Sequence, residues 1–134
     1  GNVTIARMSV LIRQNDMDGA LKLLQTFFGT MPYCNNTNYE GHYQQVLFII
    51  FSLLTHFLID VEVHTPNGRV DVVMLTDSRL YIIELKLNKD SNIAMQQINL
   101  RNYAQRFALC GKPITKAGIN FNTKSGHIEN WIIE

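Results

Sequence analysis

Two carboxylates and a lysine are the residues whose types and spacing could do chemistry. Asp71 lies in the segment Arg69–Leu75 (RVDVVML), and Glu84 and Lys86 lie in Leu80–Leu87 (LYIIELKL). Both segments are otherwise strongly apolar, with the length and branched residues of strands. An ionised carboxylate among Val, Ile, Leu and Met is costly unless a charge of opposite sign meets it. Two carboxylates held close repel each other unless a proton or a cation sits between them. Oxygen ligands of this kind suit a hard divalent cation, Mg²⁺ or Mn²⁺. The bland alternative, an ordinary solvated face, sits poorly with strands this apolar.

Whether the three side chains meet depends on register. A tight turn over 76–79 would pair Asp71 directly with Glu84, with Cβ atoms ~4.5–5.5 Å apart. Lys86 shares the face of Glu84, because side chains alternate along a strand. Upstream, 59–65 (IDVEVHT) alternates polar and apolar residues and runs into Asn67-Gly68, a strong hairpin signal. That hairpin would place His64 beside Asp71 and Glu62 on the same face. A slip of one residue would carry both away. Downstream, 91–110 reads as a long helix ended by Gly111 and Pro113. Ile93, Leu100, Ala104, Phe107 and Ala108 would form its apolar stripe, with Gln97 in the middle, Arg101 one turn on and Tyr103 at the edge. Gln97 could then reach the carboxylates and Arg101 could bind a phosphate.

The remaining elements frame this hairpin. Residues 17–28 predict an amphipathic helix capped by Asn15 or Asp16. A second helix is expected over about 39–57, where Thr37 and Glu40 have capping-box spacing. Tyr39, Tyr43, Phe48 and Phe51 are expected in the core. Two more strands are expected over 114–121 and 127–133. The order α-α-β-β-β-α-β-β predicts an α/β fold with a mixed central sheet flanked by helices.

Composition bounds the rest. The chain has 134 residues, 46% apolar and 17% charged, against roughly 25% charged in an average domain. A single domain over 1–134 is expected, and disorder is excluded. Lys and Arg number 12 and Asp and Glu 11, for a net charge of +1. That balance excludes a histone-like polycation. It hides an asymmetry, with three basic and five acidic residues up to Gly68 but nine basic and six acidic from Arg69 onward. Cys34 and Cys110, far apart and outside any CxxC motif, exclude a disulfide framework and a cysteine zinc site, and point to a reduced, cytoplasmic setting. No stretch reaches the ~18 apolar residues of a membrane span. The first residue is Gly rather than Met, so a piece of a longer chain is expected.

Gly68-Arg69-Val70-Asp71 followed by Ile82-Ile83-Glu84-Leu85-Lys86-Leu87 resembles the D…ExK signature of the PD-(D/E)XK nuclease superfamily. More narrowly, the chain resembles the nuclease-like domain C-terminal to an AAA-type ATPase-like domain in bacterial, especially Bacteroidetes, proteins. The likeness spans nearly the whole chain, from Phe27-Phe28, Pro32-Tyr33 and Tyr43-Gln44 through Ala94, Gln97, Ile98 and Tyr103. It continues to Gly118-Ile119-Asn120-Phe121 and Ile128-Glu129-Asn130-Trp131. Val70 stands where the family name has Pro.

The resemblance implies a restriction-endonuclease-like core and Mg²⁺- or Mn²⁺-dependent hydrolysis of phosphodiester bonds. Asp71 and Glu84 would hold the metal, with the Leu85 carbonyl as a third ligand and Glu40 as an additional, often water-mediated one. Lys86 would orient the attacking water and offset phosphate charge. Gln97 and Tyr103 resemble accessory residues, though at a longer spacing than Q-x-x-x-Y. Implied partners are nucleic acid, with DNA the expected form, the N-terminal ATPase-like domain, and a second copy of the chain. No membrane partner is expected. The rival expectations are a nuclease-fold docking module that no longer cuts, and a phosphohydrolase acting on nucleotides.

Overall fold

The computed structural model describes residues 2–31, 40–100, 107 and 110–134. Five strands form one sheet in the order β1-β2-β3-β4-β5: β1 (Asp60–His64), β2 (Arg69–Leu75), β3 (Leu80–Leu87), β4 (Ile114–Asn122) and β5 (His127–Ile133). Neighbours run antiparallel except β3 and β4, which are parallel. A parallel pair needs a crossover, and helix α4 (Ser91–Leu100) lies in it. The mixed sheet flanked by helices is a restriction-endonuclease-like α/β fold, and from α2 onward the helices and strands follow the order expected.

One face of the sheet carries Val70, Val72 and Met74 of β2, Tyr81, Ile83, Leu85 and Leu87 of β3, and Ala117, Ile119 and Phe121 of β4. Helices α1 (Asn2–Arg13), α2 (Met17–Thr30) and α3 (Glu40–Leu53) bury their apolar residues against it. Phe28, Tyr43 and Phe121 meet there ring to ring, with centroids 4.8 to 6.5 Å apart. Helix α1 was not expected. Its inward residues Ile5, Met8 and Ile12 are helically spaced, but exposed Val3 and Val10 blur the stripe. Asp16 caps α2 by accepting from the Gly19 N–H at 2.9 Å. Tyr81 fixes the end of α1 to the sheet, its hydroxyl donating to the Ile12 carbonyl at 2.8 Å.

The opposite face is divided. Near the start of β3, Leu80 and Ile82 pack with Met95 and Ile98 of α4, and with Val73 and Leu75 of β2. Towards the other end of the same strands the outward residues are Asp71, Glu84, Lys86 and Arg69. Helix α4 thus seals one half of this face with apolar contacts and leaves the charged half beside it.

Three expectations are corrected. Phe48 is 43% exposed and lies outside the core, although Tyr43 and Phe51 are buried as expected. Ile93, placed on the buried stripe of the helix, is 40% exposed, while Ala94, Met95 and Ile98 are the buried residues of α4. A period of 100° per residue, started one position out, rotates the stripe enough to make this exchange. The second helix ends at Leu53 in a short 3-10 turn, Leu54–His56, instead of continuing to Phe57. Tyr39, Thr37 and Cys34 lie outside the described residues.

Candidate active site

The turn between β2 and β3 closes through the Thr76 N–H on the Arg79 carbonyl at 3.0 Å. This sets the register, and Asp71 stands opposite Glu84 on the neighbouring strand. Asp71 is 8% exposed and Glu84 1% exposed, so both carboxylates are buried on one face. Arg69 stands opposite Lys86 in the same ladder. Two residues along from the acid rung there is therefore a rung of two cations on the same face. Arg69 Nε donates to Asp71 Oδ2 at 3.0 Å. Lys86, partly exposed, makes no hydrogen bond or ion pair among the described residues.

The close cover over Glu84 comes from β4 and α4. Gly118 stands beside Glu84 in the parallel ladder. A Cβ at Gly118 would lie 2.7 Å from the Met95 nitrogen and 2.8 Å from the Ser91 carbonyl oxygen. Only glycine lets the first turn of α4 lie this near the strand. Asp90 begins that turn, its carboxylate accepting from the Asn92 N–H.

Glu40, the first residue of α3, lies beside the start of β2 and the end of β3, at the end that carries the Arg69–Lys86 rung. Its Oε1 accepts from Asn88 Nδ2 at 3.3 Å, and its Oε2 would be 3.7 Å from a Cβ at Gly68. It is not gathered with Asp71 and Glu84: no group of three or more His, Cys, Asp or Glu side chains placed for a metal ion occurs among the described residues. One turn along α3, Gln44 Nε2 donates to the carbonyls of Pro66 and Arg69. The helix thus holds the turn that launches β2.

His64 pairs with Asp71 in the β1–β2 ladder, as the Asn67-Gly68 turn requires. Its ring bonds Glu62 Oε1 at 3.1 Å, and both side chains are more than half exposed. They share the face of the site but form its wet edge. Gln97 is half-buried on α4. Arg101 and Tyr103 lie outside the described residues. The Leu85 side chain is buried in the core on the other face, leaving only its backbone carbonyl for any role in the site.

Several residues around the site were given no role by the sequence, although Arg69, Asn120 and Glu129 fall within the segments that carry the resemblance. Asn88 adopts a left-handed backbone, with φ of 64°. It bonds Glu40 and Thr123, and so stitches the end of β3 to the β4–β5 hairpin. Asn-specific tolerance of that conformation was the available clue. A register shift at Asn120/Phe121 leaves Glu129 as an extra residue on β5. Glu129 accepts from Asn120 Nδ2 at 3.1 Å and Asn122 Nδ2 at 2.7 Å. Asn120 stands beside Lys86, and its Oδ1 is buried without a hydrogen bond among the described residues. Arg69 was visible as a turn residue, but nothing in periodicity marks a cation two places before an acid as its partner.

This donor set fits a hard divalent cation. Two carboxylates face each other across a strand pair, an amide oxygen lies one rung away, and neither cysteine nor histidine is among the buried described residues.

A buried D…ExK carboxylate pair on the middle strands of such a sheet defines the nuclease-fold class. The chain belongs to the PD-(D/E)XK nuclease superfamily, whose family model matches residues 38–131, from the start of α3 to β5. It is also similar to an uncharacterized protein encoded in the vnfD 5′ region of Azotobacter chroococcum mcd 1. The two are 30% identical over 133 residues, covering 92% of this chain and 25% of that protein. The chain therefore spans about a quarter of the length of the curated relative it matches. No solved structure matches.

Proposed function

We propose that this chain is a metal-dependent phosphodiesterase acting on nucleic acid, DNA in the first instance. The observation that carries the reading is the burial of Asp71 and Glu84 directly opposite each other on one sheet face. Repulsion between two buried carboxylates is relieved when a cation binds them, so the arrangement has a ligand-binding purpose more readily than a stabilising one.

In this reading Asp71, Glu84 and the Leu85 carbonyl would hold Mg²⁺ or Mn²⁺, which when bound would supply positive charge for a phosphate and for the ionisation of a water. Lys86, on the face of Glu84 and partly open to solvent, stabilises the negative charge that develops on the phosphate oxygens. Glu40, beside the start of β2 and the end of β3, acts through an intervening water, consistent with its position outside the carboxylate rung. Gln97 of α4 and Tyr103 belong to the reading as accessory residues, on the strength of the resemblance.

A cytoplasmic setting and an ATPase-like domain elsewhere in the chain extend the reading. The first is supported by the cysteine usage, with Cys110 a free thiol, and the second by the resemblance and the much longer relative. A second copy of the chain as partner rests on the resemblance alone. No helix among the described residues is long and apolar enough to cross a membrane.

One observation favours a non-cutting docking module as the second reading. Arg69 already pairs with Asp71, and Lys86 shares the face of Glu84. Supercoiled plasmid incubated with Mg²⁺ or Mn²⁺ separates the two. The enzyme reading expects nicking that EDTA stops and that Asp71→Ala, Glu84→Ala and Lys86→Ala each abolish in folded protein. Nicking by the Glu84→Ala protein at the wild-type rate would refute it.

A further inference from the structure

The rung of cations beside the carboxylates has a geometry of its own. Arg69 and Lys86 are directly opposed, and like charges in that relation are destabilising unless an anion lies near both. Asp71 meets only one of them, through Arg69 Nε. The terminal amino groups of the guanidinium make no hydrogen bond among the described residues, and neither does the Lys86 ammonium. The Arg69 side chain is 27% exposed, so this fork opens to solvent.

Its backbone is held from three sides. Gly68 has the left-handed φ of 76° that the turn needs. Its carbonyl accepts from the Leu87 N–H at 3.1 Å, and the Arg69 carbonyl accepts from Gln44 Nε2 at 2.9 Å. A guanidinium fixed through Nε with both terminal amino groups unused among the described residues, facing a flexible ammonium, is a fitting receptor for a tetrahedral oxyanion.

We propose that Arg69 and Lys86 form the phosphate-binding subsite of this face, and that Arg69 also serves as resident counter-ion of Asp71. The inference rests on the nuclease reading, but it assigns a role to a residue outside the D…ExK set. It has two consequences of opposite sign. Arg69 draws in a phosphodiester, and its charge disfavours a divalent cation bound at Asp71.

Two measurements on the Arg69→Gln protein test this, with circular dichroism as the check on folding. The first is calorimetric titration with Mn²⁺, where loss of the nearby positive charge should tighten binding by about tenfold. The second is fluorescence polarisation of a short labelled DNA duplex in EDTA. Affinity should fall about five- to twentyfold, and the slope of log affinity against log salt should become shallower by about one unit. Arg69→Lys keeps the charge but loses the fork, so it should retain the wild-type salt slope while binding the duplex more weakly than the wild type. It also serves if Arg69→Gln fails to fold.

Wild-type duplex affinity and salt slope in the Arg69→Gln protein would overturn the subsite. Unchanged or weakened Mn²⁺ binding would overturn the counter-ion role. If the wild-type protein binds no Mn²⁺, the metal reading of the face fails and the counter-ion role fails with it. The duplex measurement, made without metal, still decides the subsite.

Discussion

Gly118 on β4 lies so close under Met95 of α4 that a single added carbon would stand 2.7 Å from the Met95 backbone nitrogen. Gly118 is also the β4 neighbour of Glu84. The helix that covers the face and the carboxylate that gives it chemistry are therefore set by one contact. Both obstructing atoms belong to the backbone of α4, so side-chain rotation cannot relieve the clash. Gly118→Ala should shift α4 outward and destabilise the protein by about 1–3 kcal/mol, the usual range for overpacking. Urea denaturation measures the loss. A midpoint equal to the wild type would show that α4 tolerates displacement.

Tyr81 makes a complementary prediction on the other face. Its hydroxyl is buried and donates to the Ile12 carbonyl. Tyr81→Phe should cost about 1–2 kcal/mol, since a hydrogen bond is lost and a carbonyl is left with less satisfaction. Burial also raises the Tyr81 pKa above its ordinary value of 10.0. The folded state then holds this proton more tightly than the unfolded state. Stability linked to Tyr81 is present below pH 10 and is lost as pH rises above it. Denaturation midpoints on the alkaline side should fall less steeply in Tyr81→Phe than in the wild type.

Trp131 is the single tryptophan, and its indole N–H donates to Asp18 Oδ1 at 2.9 Å. That bond, then the Lys22 contact at 3.0 Å, lowers the Asp18 pKa below the ordinary carboxylate value. A carboxylate with a depressed folded pKa stabilises above its unfolded pKa, and the contribution is lost as pH falls through the folded one. Trp131 fluorescence should therefore change only as the pH falls below the ordinary carboxylate range, where Asp18 takes up its proton. The Asp18→Asn protein should lose that step; a step of equal size in Asp18→Asn would mean that another group titrates beside the indole.

The facing carboxylates predict a reversal of stability with metal. In EDTA, Glu84→Gln removes a buried charge that Asp71 repels, and the protein should gain about 1 kcal/mol. With millimolar Mn²⁺ the wild type should gain stability by mass action and the Glu84→Gln protein should gain little. Thermal melts in both buffers give the comparison. Equal Mn²⁺ shifts in the two proteins would place the ion elsewhere.

What could be read in advance divides along physical lines. The pairing of Asp71 with Glu84 followed from local facts: apolar strands of matched length and a turn at 76–79 that leaves only one register. The His64–Asp71 pairing followed from the Asn-Gly turn in the same way. Strand boundaries were legible where alternation met Gly, Asn or Pro. Contacts made by long polar side chains were not. Gln44 reaches across 25 residues to hold the Arg69 carbonyl, and Asn88 reaches 35 to Thr123. Neither leaves a period or a spacing. The extra residue that turns Glu129 towards Asn120 and Asn122 is likewise invisible, because a bulge breaks the alternation by which strands are read. Helix α1 was hidden for a related reason, its exposed Val3 and Val10 being as apolar as its buried face.

The central claim is that Asp71 and Glu84 together hold a divalent cation. Crystals soaked in Mn²⁺ and measured at a wavelength where manganese scatters anomalously test it most directly. The account predicts an anomalous peak between the two carboxylates, within coordination distance of both and of the Leu85 carbonyl, which Glu84→Gln weakens. Soaked crystals with manganese at other positions, or with no peak between Asp71 and Glu84, would contradict it.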